Sequence, residues 1–243
     1  VCSSDLSARN FNHRERGFIK YMINKQFYTS KWLIPIFVIS VLIFTLLTVG
    51  VMHRTSFIQH IDAASLQLMT DYFGTPERGF EGSWFNTIMT FCATIGEVSS
   101  VMLLMVLLSV VIAVKSKRTA LWSLIAVFTG SWMNFLIKQV VARSRPYNHL
   151  PQDHGFSYPS GHSNASTLIC IVIIIMTVSY VTRLYAKWTI ISLALLFWIG
   201  ILSCRLYFHA HYVGDVLGGV ALAVIWMMLF LAMYPLFYIR NKQ

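Results

Sequence analysis

Six apolar stretches, each long enough to cross a bilayer as a helix, constrain this chain more than any other feature. They lie approximately at 32–52, 98–114, 119–141, 161–181, 188–206 and 214–239. A spanning helix needs about 20 mostly apolar residues, because backbone polar groups in lipid must be satisfied within the helix. Only 12% of the 243 residues are charged, against about 25% in a soluble domain. The sequence therefore predicts an all-α integral membrane protein with six transmembrane helices in a compact bundle.

The positions of Lys and Arg predict the orientation of these helices. Thirteen cations flank the spans on one side: Arg9, Arg14, Arg16, Lys20, Lys25, Lys31, Lys115, Lys117, Arg118, Arg183, Lys187, Arg240 and Lys242. The opposite segment 53–82 has only Arg54 and Arg78, against four carboxylates. Since short cytoplasmic loops are enriched in Lys and Arg, we expect both termini in the cytoplasm. This topology also accounts for the net charge of +10 without nucleic acid as a partner.

One domain accounts for the chain, a six-span domain at 32–243 preceded by a cytoplasmic segment at 1–31. We expect 53–97 to be an outer loop with partial helices, since the apolar stretch 83–95 is too short to span. The first span is interpreted as a retained anchor, because no small-residue cleavage site follows it. The stretch 17–28 mixes Lys with Phe, Tyr and Ile, and is either an amphipathic helix in the headgroup plane or an ordinary linker. Four scattered cysteines show neither metal-ligand nor disulfide spacing and are interpreted as apolar fillers: Cys2, Cys92, Cys170 and Cys204.

Three polar motifs interrupt the apolar sequence, all on the predicted outer side. They occupy 138–146, 159–162 and 205–215. The ionisable side chains in them that we expect to form a site are Lys138, Arg145, His162, Arg205, His211 and Asp215. Ionisable groups at membrane depth are rare and usually functional.

The first chemistry that these motifs favour is phosphate binding. Lys138, Arg145 and Arg205 can neutralise phosphate oxygens, with Arg offering paired donors and Lys a point charge. Ser160 stands at the expected N-cap of the fourth span, which leaves free backbone N–H groups at a helix start. Gly161 allows that backbone to approach a ligand closely.

The second chemistry is phosphate transfer to a histidine. His211 and Asp215 are four residues apart, and share one helical face if the sixth span begins a few residues early. A carboxylate bonded to one imidazole nitrogen leaves the other nitrogen as a nucleophile. His162 can donate a proton to the leaving oxygen and then activate water. Each residue alone has a structural explanation, such as a snorkelling lysine or a capping histidine, but their joint occurrence favours a site.

The ordered motifs resemble the signature of the type 2 phosphatidic acid phosphatase superfamily: Lys-x6-Arg-Pro, Pro-Ser-Gly-His and Ser-Arg-x5-His-x3-Asp. The resemblance covers Lys138 to Asp215 directly. It implies a helical bundle that hydrolyses phosphate esters through a phosphohistidine, with no metal or other cofactor. It further implies His211 as the nucleophile, Asp215 as its partner and His162 as the acid and base. The implied phosphate-binding residues are Lys138, Arg145, Ser160, Gly161 and Arg205.

Other polar residues near the motifs are interpreted as peripheral. Cys204 stands where the pattern has Ser, so we expect one weaker hydrogen bond but retained activity. His209 is six residues from Asp215 and therefore off its helical face. Arg143 either touches substrate or faces lipid headgroups. Asp153 is interpreted as a solvated loop residue, and Glu97 as a hydrated acid at a helix start.

Cations at headgroup depth favour a phospholipid or polyprenyl phosphate as substrate, because its tail can stay in the bilayer. Bacterial members of the superfamily act on undecaprenyl pyrophosphate, phosphatidylglycerol phosphate or phosphatidic acid. We expect one of the first two, in a multi-pass plasma membrane protein whose active site faces the extracytoplasmic side. A phosphotransferase is an alternative, with 53–82 as a wall of its acceptor pocket. An anionic-lipid transporter is a further alternative, but it would place its cations near the bilayer midplane. The related vanadium haloperoxidases are soluble, and the spans argue against them. The sequence predicts no oligomeric state.

Overall fold

The computed structural model describes residues 31–239, with side chains to residue 234. Within this part of the chain there are eight helices: α1 Leu33–Met52, α2 Ser56–Phe73, α3 Trp84–Ile95, α4 Val98–Lys115, α5 Lys117–Val141, α6 Gly161–Tyr180, α7 Leu184–Tyr207 and α8 Val213–Ile239. The predictions for residues 1–30, for the helix at 17–28 and for the C-terminal cations lie outside the described residues.

Six of the described helices are long and apolar enough to cross a membrane, namely α1 and α4 to α8. The prediction of six spans is confirmed, and most ends agree within two residues. The largest difference is at α7, which begins at Leu184 although the sequence predicted 188. Lys187 lies in the first turn of this helix, where a long side chain keeps its charge at the interface.

The segment between α1 and α4 contains two shorter helices. α3 matches the predicted partial helix, and its N-cap Ser83 accepts a hydrogen bond from the Asn86 N–H at 3.1 Å. The sequence did not locate α2. This helix is amphipathic and less apolar than the spans, and only Ile58 and Asp62 are buried on it.

The bundle packs around α6, with α5 and α8 against it. Trp122 of α5 is fully buried and donates its indole N–H to the Phe230 carbonyl of α8 at 3.0 Å. By contrast α1 exposes its apolar side chains, for example Ile34 at 75% and Leu46 at 72%. Apolar exposure of this extent is typical of a lipid-facing surface.

The connection between α5 and α6, residues 142–160, folds over one end of the bundle. Ala142 is the C-cap of α5, and its φ of 49° lies in the left-handed region. The Ser157 N–H then donates to the Arg143 carbonyl at 2.8 Å and its hydroxyl to the Ser144 carbonyl at 3.0 Å. These bonds hold the loop over the carboxyl ends of α5 and α7 and the amino ends of α6 and α8, where the three polar motifs meet.

Candidate active site

His211 and Asp215 lie together at the start of α8. The helix begins at Val213, so His211 precedes it rather than belonging to it. Its Nδ1 is nevertheless 3.6 Å from Asp215 Oδ2. The same carboxylate oxygen accepts the Tyr212 N–H at 3.0 Å. Both side chains are buried, so the carboxylate and the ring are fixed relative to each other.

The other ring nitrogen of His211 faces a cation. Nε2 is 3.3 Å from Arg145 Nη1. Since a guanidinium only donates, this geometry assigns Nε2 as the acceptor and places the ring proton on Nδ1, towards Asp215. Burial, followed by Arg205, Lys138 and Arg145, holds the pKa of His211 well below its ordinary value. The ring therefore presents a lone pair where the cations converge.

His162 of α6 and Arg205 of α7 contact each other within the site. His162 lies in the first turn of α6, with its Nε2 3.5 Å from Arg205 Nη1. Arg205 is also paired with Asp153, whose Oδ1 is 2.9 Å from Nη2. The interpretation of Asp153 as a solvated loop residue is wrong, because its side chain is only 12% exposed. A guanidinium buried as deeply as that of Arg205 needs a charged or polar acceptor.

Lys138 and Arg145 are held by backbone carbonyls of the loop that covers the site. Lys138 Nζ donates to the carbonyls of residues 156 and 157 at 2.8 and 3.3 Å. Arg145 donates to those of residues 154, 155 and 210 at 2.7 to 3.1 Å. Carbonyls are neutral acceptors, so an anion bound here would form stronger, charge-assisted bonds with the same cations.

Ser160 and Gly161 join α6 to α8. Ser160 is the N-cap of α6, and its Oγ accepts from the Ser163 hydroxyl at 2.9 Å and from the Ser163 N–H at 3.4 Å. The Ser160 N–H donates to the Asp215 carbonyl at 3.0 Å. This approach requires Gly219, because a Cβ there would lie 2.5 Å from the Ser160 carbonyl oxygen. The amino end of α6 is thus held beside His211 and Asp215.

The structure adds two residues that the motifs did not identify as part of the site. Arg143 donates to Asp215 Oδ1 at 2.7 Å and to Asp62 Oδ2 at 2.5 Å. It contacts the other side of the carboxylate that faces His211, a partner that the sequence did not predict. Burial raises the pKa of Asp62, and Arg143 and the Gly214 N–H act against that effect. The one sequence signal was an acid with Ile58 and Leu66 four residues to either side of it.

The remaining polar residues point elsewhere. His209 Nε2 is 3.3 Å from Thr70 Oγ1 of α2, away from Asp215, as its spacing predicted. Glu97 is the partly exposed N-cap residue of α4 and pairs with Arg78 at 2.6 Å. Cys204 donates to the Ile201 carbonyl of its own helix at 3.0 Å. Among the described residues no group of three or more His, Cys, Asp or Glu side chains is arranged as metal ligands.

A bundle of membrane-spanning helices with a buried His–Asp pair beside clustered cations defines a membrane protein with a candidate active site at one end of its spans. The sequence model of the PAP2 superfamily matches residues 119–238 of this chain. The chain is also 30% identical over 147 residues to phosphatidylglycerophosphatase B of Bacillus subtilis (strain 168). The aligned region covers 58% of this chain and 71% of the relative. The chain belongs to the PAP2 superfamily, which confirms the resemblance seen in its motifs.

The fold agrees with a solved member of the same group. The crystal structure of the transmembrane PAP2 type phosphatidylglycerolphosphate phosphatase from Bacillus subtilis superimposes with a TM-score of 0.70. The match covers 85% of this chain and 98% of the other at 22% sequence identity. At this identity the likeness shows the fold, an all-helical multi-pass membrane bundle.

Proposed function

We propose that this protein is a lipid phosphatase that hydrolyses a phosphomonoester or pyrophosphate through a phosphohistidine on His211. The observation that carries the proposal is the environment of His211, with a carboxylate 3.6 Å from Nδ1 and a cation 3.3 Å from Nε2. This arrangement supplies an oriented nucleophile and places positive charge where phosphate oxygens would lie. The B. subtilis relative is named as a phosphatidylglycerophosphatase, which supports a lipid phosphate as substrate.

In the first step the phosphate exchanges with the acceptors that now hold Lys138, Arg145 and Arg205. His211 Nε2 attacks phosphorus, a nitrogen–phosphorus bond forms and the bond to the lipid oxygen breaks. His162, in its protonated form, gives its proton to that oxygen. Asp215 stabilises the positive charge that develops on the His211 ring. Backbone N–H groups at the start of α6, beside Ser160, add donors to the phosphate oxygens.

In the second step water replaces the lipid alcohol. Neutral His162 takes a proton from a water molecule as the water oxygen attacks phosphorus. The nitrogen–phosphorus bond to His211 breaks and inorganic phosphate leaves. His162 is then protonated again for the next cycle. No step requires a metal ion, and the acids Asp62, Asp153 and Asp215 are each paired with arginine.

The position of the site supports a membrane substrate. The reacting groups lie at one end of the spans, so a lipid can present its phosphate there while its tail stays in the bilayer. The excess of cations at the opposite loop ends supports an extracytoplasmic site. We therefore propose undecaprenyl pyrophosphate or phosphatidylglycerol phosphate as the preferred substrate, with phosphatidic acid next.

The alternatives fit the geometry less well. A transporter would need cations near the bilayer midplane, whereas these lie at one end of the bundle. A phosphotransferase would need an acceptor pocket beside His211. A cavity of about 590 Å³ does open against α1 and α2, but its walls include Arg143 and none of Lys138, Arg145, His162, Arg205 or His211.

The test is phosphate release by purified protein in detergent with EDTA, using the three candidate lipids in parallel. We expect wild type to release phosphate from at least one lipid, and His211→Ala to lose the activity. The matched control is His60→Ala, which removes an exposed histidine on α2. Inactive wild type, activity abolished by EDTA or activity that survives His211→Ala would each contradict the proposal.

A further inference from the structure

The carboxylate beside His211 is not alone, because Arg143 joins it to a second one. The guanidinium bridges Asp215 Oδ1 at 2.7 Å and Asp62 Oδ2 at 2.5 Å. It also lies over the Tyr212 ring, with Cζ 4.2 Å from the ring centroid. Asp62 is held from its other side, since its Oδ1 accepts the Gly214 N–H at 2.9 Å. All the partners are fixed, and the two carboxylates are almost fully buried.

Charge counting shows why a second carboxylate matters. Asp215 alone would offer His211 one negative charge. Arg143, in direct contact, would cancel that charge and leave a neutral pair behind the imidazole. With Asp62 the group of three again carries one net negative charge. A nucleophilic histidine needs this charge, because its ring becomes positive when it bonds to phosphorus.

We propose that Asp62, on α2 outside the three motifs, is a positioning residue that restores the negative charge at Asp215 and so sets the reactivity of His211. Asp62 does not touch the reacting atoms and acts through Arg143 and Asp215. The inference rests on the proposed function, in which His211 is the nucleophile. A purely structural role, in which Asp62 only ties α2 to α8, predicts a different pattern of results.

The pH dependence of kcat/KM separates the two roles, because its acid limb reports protonation of the free enzyme's essential base. Other ionisable groups face this base from every neighbouring element: Lys138 of α5, Arg145 of the 142–160 loop, His162 of α6, Arg205 of α7 and Asp215 of α8. Asp62 itself faces Arg143 and Asp215. The variants change only Asp62 and Arg143 and leave every group that faces His211 unchanged. Titration of the lipid phosphate is common to all of them.

The first variant is Asp62→Asn, which keeps an oxygen to accept the Gly214 N–H and removes the charge. We expect kcat to fall at least about tenfold, the equivalent of one pKa unit of interaction, with KM within about twofold. The acid limb should move to lower pH, because the imidazolium loses stabilisation. Asp62→Glu keeps the charge, and its acid limb should stay at the wild-type position.

The decisive comparison adds Arg143→Met and the double variant. Arg143→Met leaves two neighbouring carboxylates without a cation, and the group keeps at least one negative charge even when one of them takes up a proton. Its acid limb should therefore lie at or above the wild-type position, opposite to the shift in Asp62→Asn. The double variant has one net negative charge again, and its limb should return towards wild type. Gel filtration and thermal unfolding in detergent check that each variant is folded.

Two results would overturn the proposal in favour of a structural role. The first is an acid limb that shifts in the same direction in Asp62→Asn and Arg143→Met. The second is a double variant whose acid limb lies no closer to wild type than that of the more strongly shifted single variant. An acid limb in Asp62→Glu that matches that of Asp62→Asn would overturn it as well. If Asp62→Asn alone fails to fold, Asp62→Glu, Arg143→Met and the double variant still decide. Wild type that releases no phosphate would instead refute the proposed function, so the two failures are distinct.

Discussion

The arginines of the site lie close together but differ in what they contact. Arg145 and Arg205 each reach a histidine nitrogen, at 3.3 and 3.5 Å. Arg143 instead binds two carboxylates. A guanidinium presents planar pairs of N–H donors, which match two phosphate oxygens or two carboxylates, whereas lysine is a single point charge. This difference makes the arginines individually testable.

Replacing Arg205 by Lys keeps the charge and removes the paired donors. We expect kcat/KM for phosphate release to fall about 10²-fold, the usual loss when one donor to a developing charge is removed. The control is Arg54→Lys, since Arg54 is exposed and belongs to none of the motifs. Equal activity of the Arg205 variant and wild type would show that this guanidinium does not bind the phosphate.

The environment of His211 predicts the pH range of the enzyme. Burial, with Arg205, Lys138 and Arg145, lowers the pKa of His211, so the neutral nucleophile persists below the ordinary imidazole pKa of about 6.5. Activity should be lost as pH falls through this lowered pKa, which places the acid limb of kcat/KM below about 6.5. Arg145→Gln removes one of the cations and should move the limb to higher pH. An acid limb of kcat/KM above about pH 6.5 in wild type would contradict this explanation.

At the scale of helices, the contact between α6 and α8 builds the site. Gly218 and Gly219 let α8 approach closely, because a Cβ would meet the Tyr158 ring at 2.6 Å or the Ser160 carbonyl at 2.5 Å. The Ser160 N–H bonds to the Asp215 carbonyl across this contact. The N-cap of α6 is therefore tied to the start of α8.

Gly219→Ala should separate these two helices. We expect a loss of about 1–3 kcal/mol in stability from overpacking, seen as a lower thermal midpoint in detergent, together with reduced phosphate release. Gly79→Ala is the matched control, because its new Cβ would come no closer than 4.0 Å to the nearest heavy atom. A fully active and equally stable Gly219 variant would show that the contact is looser than described.

The helices also differ in how well the sequence predicted them. Apolar length located all six spans, and motif spacing selected the residues that meet around His211. α2 was missed because its amphipathic sequence lacks the hydropathy of a span. The bridge from Asp62 to Arg143 joins residues 81 apart in sequence, and nothing local indicates such a pair. Asp153 was misjudged for a related reason, since its partner Arg205 lies on a distant helix.

At the scale of the whole molecule, orientation remains a prediction based on charge. Glu81 lies in the segment between α1 and α4, and Lys117 at the start of α5, at the opposite end of the spans; both are exposed. In cells, Glu81→Cys should react with a membrane-impermeant maleimide without permeabilisation. Lys117→Cys should react only after permeabilisation, with the parent chain as background. The reverse pattern would place the site in the cytoplasm.

Trapping the phosphorylated intermediate tests whether His211 carries the phosphate. Protein incubated briefly with lipid labelled with ³²P in its terminal phosphate is quenched in alkali, which preserves phosphohistidine, and the label is located by peptide mass spectrometry. We expect label on His211 and none in His211→Ala. His162→Ala should carry more label when the lipid has a leaving group that needs little protonation. Label on His209, or turnover by wild type with no labelled histidine under any quench time, would contradict the proposal.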